Sequence, residues 1–151
     1  MTRGFEVAKG FEDKKINLPV RKTKKSAGYD FEAAEDVTVK AGEKVPTLIP
    51  TGIKAYMQDD EVLYLYNRSS NPKKKGLVLA NSVGVIDADY YGNPDNDGNI
   101  MFAYYNVKDE DITIKKGEVI GQGVFAKFLI TDDDNAEGDR TGGFGSTIFV
   151  K

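Results

Sequence analysis

Between Arg68 and Tyr90 the chain sets out a cation flanked by two hydroxyls (Arg68, Ser69, Ser70), an amide (Asn81), a carboxylate (Asp87) and an aromatic ring (Tyr90). A guanidinium with hydroxyls and free backbone N–H groups at a strand end can hold phosphate oxygens. An amide presents both a donor and an acceptor, which suits the edge of a pyrimidine. A carboxylate at the end of a rigid strand is placed to act as general base toward a water. A tyrosine ring can lie flat on a sugar and leave no space for a 2′-hydroxyl. Near the C-terminus, Arg140-Thr141-Gly142-Gly143-Phe144-Gly145-Ser146-Thr147 adds a second cation, a ring and two hydroxyls in a glycine-rich frame. Each piece also has a plainer reading. Arg-Ser-Ser is a common polar turn, and Gly84-Val85-Ile86-Asp87 reads as a hairpin strand ending in an acidic turn.

Two absences narrow the chemistry. The 151 residues include no Cys and no His. Disulfides, thiol nucleophiles and thiolate zinc sites are excluded, as are Ser-His-Asp triads and imidazole ligation. Catalysis must run on carboxylates, hydroxyls, Lys, Arg and oxygen-bound cations, and Mg²⁺ held mainly by substrate phosphates fits that inventory. A net charge of -3 argues against stable nucleic-acid binding, so the basic clusters at 21–25 and 73–75 read as solvated loops. No apolar run approaches the ~18 residues of a membrane span, and the N-terminus carries no long apolar stretch. The expectation is a soluble cytoplasmic protein with no membrane contact.

Three further motifs have competing readings. Gly121-Gln122-Gly123-Val124-Phe125-Ala126 fits a loose dinucleotide fingerprint, but that fingerprint requires a following helix, and Lys127-Phe128-Leu129-Ile130-Thr131 reads as strand. The glycine-rich segment after Arg140 lacks the Lys of a Walker loop. Asn93-Pro94-Asp95-Asn96-Asp97-Gly98 opens like a calcium loop, yet its twelfth position is Tyr104 rather than Glu. It reads as an extended hairpin loop whose shape bears on access to the site.

The elements that position these groups follow a period of two. Val37 and Val39 alternate with polar residues, as do Ile112 and Ile114; Leu63 and Leu65 alternate with tyrosines. The 100–107 segment is rich in aromatic and β-branched residues. Val124, Phe125, Phe128, Leu129 and Ile130 form a denser run, which predicts a strand covered on both faces. Gly and Pro punctuate these runs closely, so the pattern indicates one all-β sandwich or barrel. One helical turn is predicted, capped by Asn71, with Pro72 at the first position and Gly76 closing it. The acidic 132–139 segment reads as a flexible connector, which divides the chain into a body, 1–131, and a connector with C-terminal arm, 132–151.

The run Asn81, Gly84, Ile86, Asp87, Asp89, Tyr90, taken with Arg68-Ser69-Ser70 and the C-terminal glycine-rich segment, resembles the homotrimeric dUTPase family (deoxyuridine triphosphate nucleotidohydrolases) of bacterial or phage type. Five elements occur in the family order from Ala27 to Thr147. The resemblance implies a jelly-roll-like β-barrel assembled as a homotrimer with a mobile C-terminal arm. It implies Mg²⁺-dependent hydrolysis of dUTP to dUMP and pyrophosphate, with a water activated by Asp87 attacking the α-phosphorus. Base and sugar would be met by Asn81, Gly84, Ile86, Tyr90 and Phe144, and phosphates by Arg68, Ser69, Ser70, Gln122, Arg140, Ser146 and Thr147. Asp30, in Ala27-Gly28-Tyr29-Asp30, would join the Mg²⁺ shell through water; a structural carboxylate that orders the loop is the alternative. The family pattern also sends the arm over a site built by other subunits. One residue fewer than the commoner spacing separates Arg140 from the glycine pair.

Two other activities are weighed against this one. A dCTP deaminase shares much of the pattern but needs a glutamate at about Ala103, and no acid lies between Ile100 and Val107. Some phage-type dUTPases also bind regulatory proteins; here the 93–98 loop and the Ile148-Phe149-Val150-Lys151 tail are the surfaces for such a partner.

Overall fold

The structure is a computed structural model that describes residues 1–140. Eleven strands are found there: β1 (Gly4–Val7), β2 (Tyr29–Glu32), β3 (Val37–Val39), β4 (Thr47–Pro50), β5 (Ile53–Tyr56), β6 (Glu61–Asn67), β7 (Leu77–Leu79), β8 (Gly84–Asp87), β9 (Met101–Asn106), β10 (Ile112–Ile114) and β11 (Val119–Lys127). They form a four-stranded sheet in the order β2-β11-β6-β8, a three-stranded sheet β4-β9-β7, and the pairs β1-β5 and β10-β3. All of these pairings are antiparallel. The chain is all-β, as its period-two pattern predicts. Among the described residues no helix is long and apolar enough to cross a membrane.

Strand β9 shows how alternation builds the core. Phe102, Tyr104 and Asn106 are buried while Met101, Ala103 and Tyr105 are only half-buried. Phe102 meets Phe31 of the four-stranded sheet with ring centroids 5.6 Å apart and stacks on Tyr104 at 6.3 Å. Ile49, Ile53, Leu63, Leu77 and Ile120 close the same cluster. Each fully buried side chain of this kind stabilises the fold by about 1.5–3 kcal/mol relative to exposure.

Small residues are as necessary to this packing as large ones. A methyl group on Gly121 would lie 2.3 Å from the Phe102 ring, and one on Gly123 would lie 2.8 Å from Phe31. The Gly-x-Gly of β11 therefore admits the two rings, and among the described residues no helix follows it.

Three expectations need correction. Phe128, Leu129 and Ile130 lie beyond the end of β11 and are 39%, 96% and 68% exposed, so the dense apolar run is not a doubly covered strand. The helical turn at Asn71–Lys75 exists, but its cap position is Ser70. Asn71 instead points inward, donating to Asn67 Oδ1 (2.8 Å) and Ile120 O (3.0 Å), because a buried amide must find partners. Finally, the 93–98 loop does not close a hairpin, because β8 pairs with β6 whereas β9 pairs with β4 and β7. Gly92 N–H bonds Asp97 O, Asp97 N–H bonds Asn93 O, and Asn93 N–H bonds Tyr90 O, which folds it into consecutive turns against the barrel.

Candidate active site

Strand β8 is the floor of the site. It pairs with β6 so that Leu65 faces Gly84, Leu63 faces Ile86 and Val62 faces Asp87. Gly84 and Ile86 point inward and are buried, whereas Asp87 at the strand end is half-exposed. A Cβ on Gly84 would come 2.9 Å from the Leu65 side chain, so the absence of a side chain lets β8 approach β6. After Asp87 the chain makes one tight helical turn, Ala88–Tyr90, which returns Tyr90 toward the core, where it is 3% exposed. Before β8, Ser82 adopts a positive φ of 62° and Val83 N–H reaches back to Asn81 O, so a sharp turn presents Asn81 at the surface.

These residues enclose a cleft of about 580 Å³ lined by Asn81, Gly84, Ile86, Asp87, Tyr90 and Arg140 among others. Its remaining wall is apolar, with Leu48, Val83, Val85 and Met101. Ala103 also lines it, at the place where a deaminase needs its glutamate. Arg140 spans two carboxylates: its Nη2 donates to Asp87 and its Nε donates to Asp89 Oδ1 at 2.7 Å. Through Arg140 the chain thus returns to its own Asp87. Phe144, Ser146 and Thr147, with the rest of the arm from 141 on, lie outside the described residues.

The other predicted residues form a second group. Gln122 on β11 lies opposite Asp30 on β2 and opposite Tyr66 on β6. Its side chain covers Gly28, where a Cβ would sit 2.1 Å from Gln122 Oε1. Arg68 and Ser69 are exposed just past the end of β6, and Ser70 is half-buried. A buried polar network that the sequence reading passed over lies beneath them. Asn67 Nδ2 donates to Leu77 O (2.9 Å), while Asn67 Oδ1 accepts from Asn71 and from the Tyr104 hydroxyl at 3.1 Å. Burial pushes the Tyr104 hydroxyl far above the usual tyrosine range, so it stays a donor. Two asparagines four apart around Arg-Ser-Ser were the available signal.

The two groups do not meet within one chain. Asp87 faces Val62 at one end of β6, and Arg68 follows the other end. Six residue steps along the strand separate Val62 from Arg68, roughly 20 Å at the usual rise.

Comparison with known proteins gives a consistent result. The dUTPase family model matches residues 14–148. The chain is 60% identical over 147 residues to the deoxyuridine 5'-triphosphate nucleotidohydrolase of Lactococcus lactis subsp. lactis (strain IL1403), covering 96% of this chain and 97% of that one. Its structure superposes on that of a dUTPase from Streptococcus mutans with a TM-score of 0.81 at 52% identity, covering 85% of this chain and 98% of the other. A dUTPase from phage phi11 of S. aureus, whose structure details a structural Mg(II) ion, shares the fold at a TM-score of 0.70 and 21% identity, over 91% and 98% of the two chains.

Proposed function

The chain belongs to the dUTPase family and is a hydrolase acting on dUTP, and from that premise we propose how its residues divide the work. The carrying observation is Asp87, half-exposed at the end of β8 in a cleft that also holds Asn81 and Tyr90. Asp87 takes a proton from a water and orients it for in-line attack on the α-phosphorus; dUMP and pyrophosphate are the products. Asn81 reads the uracil edge, Gly84 and Ile86 let the base lie close to β8, and Tyr90 packs on the deoxyribose. Arg68, Ser69, Ser70 and Gln122 bind phosphate oxygens. Arg140, now paired with Asp87 and Asp89, exchanges those carboxylates for phosphate oxygens when the nucleotide enters. Phe144, Ser146 and Thr147 complete the cover from the arm, with 132–151 acting as connector and lid.

The donor set suits Mg²⁺. Among the described residues no group of three or more acidic side chains gathers into a protein-only cage. Mg²⁺ accepts such a setting, because it keeps waters and takes phosphate ligands. Asp30, the carboxylate opposite Gln122 on the neighbouring strand, would hold the ion through water. The bound ion supplies charge compensation and a fixed conformation of the triphosphate.

We read the chain as a homotrimer, and the separation of the two groups along β6 supports a site shared between copies. A second copy brings its Arg68 group to the Asp87 cleft of the first. Pyrophosphate release measured over dUTP, dCTP, dTTP and UTP with Mg²⁺ tests the reading. Selective turnover of dUTP is expected; equal turnover of dCTP or UTP, or release of ammonia from dCTP, would overturn it.

A further inference from the structure

Tyr90 is held from behind by the loop that follows it. Its hydroxyl donates to Asn99 O at 2.9 Å and accepts from Asn96 Nδ2 at 2.7 Å. The polarity of this chain is fixed at both ends. Asn99 O can only accept, so the tyrosine proton points there and its lone pair faces Asn96. Asn96 Oδ1 is occupied by Gly98 N–H at 3.0 Å, which leaves its NH₂ for Tyr90. Burial raises the Tyr90 hydroxyl above the usual range, so it keeps its proton.

Asn96 is in turn fixed in place. The next residue, Asp97, accepts from Lys54 Nζ (2.7 Å) and from Lys9 N–H (2.9 Å) through one carboxylate oxygen. Gly98 passes so close to the preceding turn that a Cβ would sit 2.6 Å from Tyr90 O. The loop therefore cannot slide along the ring it supports. Asn96 does not line the cleft, but it sets how deeply the Tyr90 ring sits in the cleft wall.

We propose that Asn96 is a positioning residue for Tyr90 and thereby sets the selection of deoxyribose over ribose. This rests on the reading of Tyr90 as the ring that packs on the sugar. Loss of the donor removes one of the hydrogen bonds that hold the Tyr90 hydroxyl, which lets the ring shift and admit a 2′-hydroxyl.

The readout is the ratio of kcat/KM for dUTP to that for UTP. Asn96→Asp keeps an acceptor for Gly98 N–H but cannot donate to Tyr90. It is expected to lower the ratio about three- to tenfold, the effect of one neutral hydrogen bond. Asn96→Ala removes the donor without adding charge and serves as the second variant, with the same expectation. In a Tyr90→Phe background, Asn96→Asp should lower the ratio no further, because the shared bond is already gone. Tyr90→Ala separates the two ideas. If Tyr90→Ala collapses the ratio while both Asn96 variants stay within twofold of wild type, the proposal is wrong and the role of Tyr90 stands. If Tyr90→Ala leaves the ratio unchanged, the reading of Tyr90 fails and the proposal fails with it. An equal drop for Asn96→Asp with and without the tyrosine hydroxyl would show that Asn96 acts by another route, and would also overturn it.

Discussion

Asp87 occupies an unusual position for an acidic side chain. Val62 faces it across the sheet, yet its carboxylate is 47% exposed and bonded by Arg140. An exposed ion pair of this sort contributes ~0–1 kcal/mol to folding, so it does not explain why a carboxylate stands there. Chemistry does. Asp87→Asn keeps the shape and loses the proton acceptor, so kcat for dUTP should fall about 10²- to 10⁴-fold while the melting temperature hardly moves. Turnover within a few-fold of wild type would move the base elsewhere, with Asp89 the next candidate. That Asp87, Asn81 and Tyr90 gather at one cleft was legible in the sequence because amide, acid and ring recur at short fixed spacing around one strand. The side chains behind them were not. Asn96 reaches Tyr90 only because Asp97 is tied to Lys54 and Lys9, contacts that span 43 and 88 residues.

At the scale of elements, what the sequence conceals is where small residues stand in for large ones. Strand β6 announces itself by alternation and β9 by its aromatic and β-branched content, and the fold class follows from such runs. β11 does not, because its buried positions include Gly121 and Gly123, where Phe102 and Phe31 of other strands fill the space. The apolar run that looks like a strand core, 128–130, falls past its end. Gly121→Ala would force the Phe102 ring to move, although that ring is fully buried between Phe31 and Tyr104. Overpacking of this kind costs about 1–3 kcal/mol, to be read as a lower denaturation midpoint with an unchanged slope. The 93–98 loop gives a second test, in pH. The Lys54 ammonium bonded to Asp97 holds its carboxyl below the ordinary value of 3.8 against the opposing effect of burial, and Lys9 N–H assists. A depressed carboxyl adds stability that is complete above its unfolded value and is lost as pH falls through the folded one. Acid unfolding from about pH 4 downward should therefore include an Asp97 contribution. Asp97→Asn should flatten that part of the stability curve, and an unchanged acid limb would show that the loop's anchor is not this pair.

For the whole molecule the decisive length is β6. It keeps Asp87 and Arg68 roughly 20 Å apart, which favours a site completed by a second copy. The cleft mouth also exposes Leu48, Val83 and Val85, at 46%, 37% and 57%, and clustered apolar surface of this kind suits a contact between subunits. In the proposed cyclic trimer each interface is head-to-tail, an arrangement in which the Asp87 end of one copy can meet the Arg68 end of the next. Two inactive variants follow from this geometry: Asp87→Asn, which lacks the base, and Arg68→Ala, which lacks the phosphate cation. Each alone assembles with three defective sites. Co-refolded in equal amounts, they should place an intact Asp87 beside an intact Arg68 in about a quarter of the sites, and dUTP hydrolysis should return to that fraction of wild type. The mixed species are verified by differential tagging before activity is read. Activity no greater than the sum of the two pure variants, in verified mixed trimers, would mean that both residues serve a site within one subunit. The separation along β6 would then have to close by a rearrangement of the strand itself.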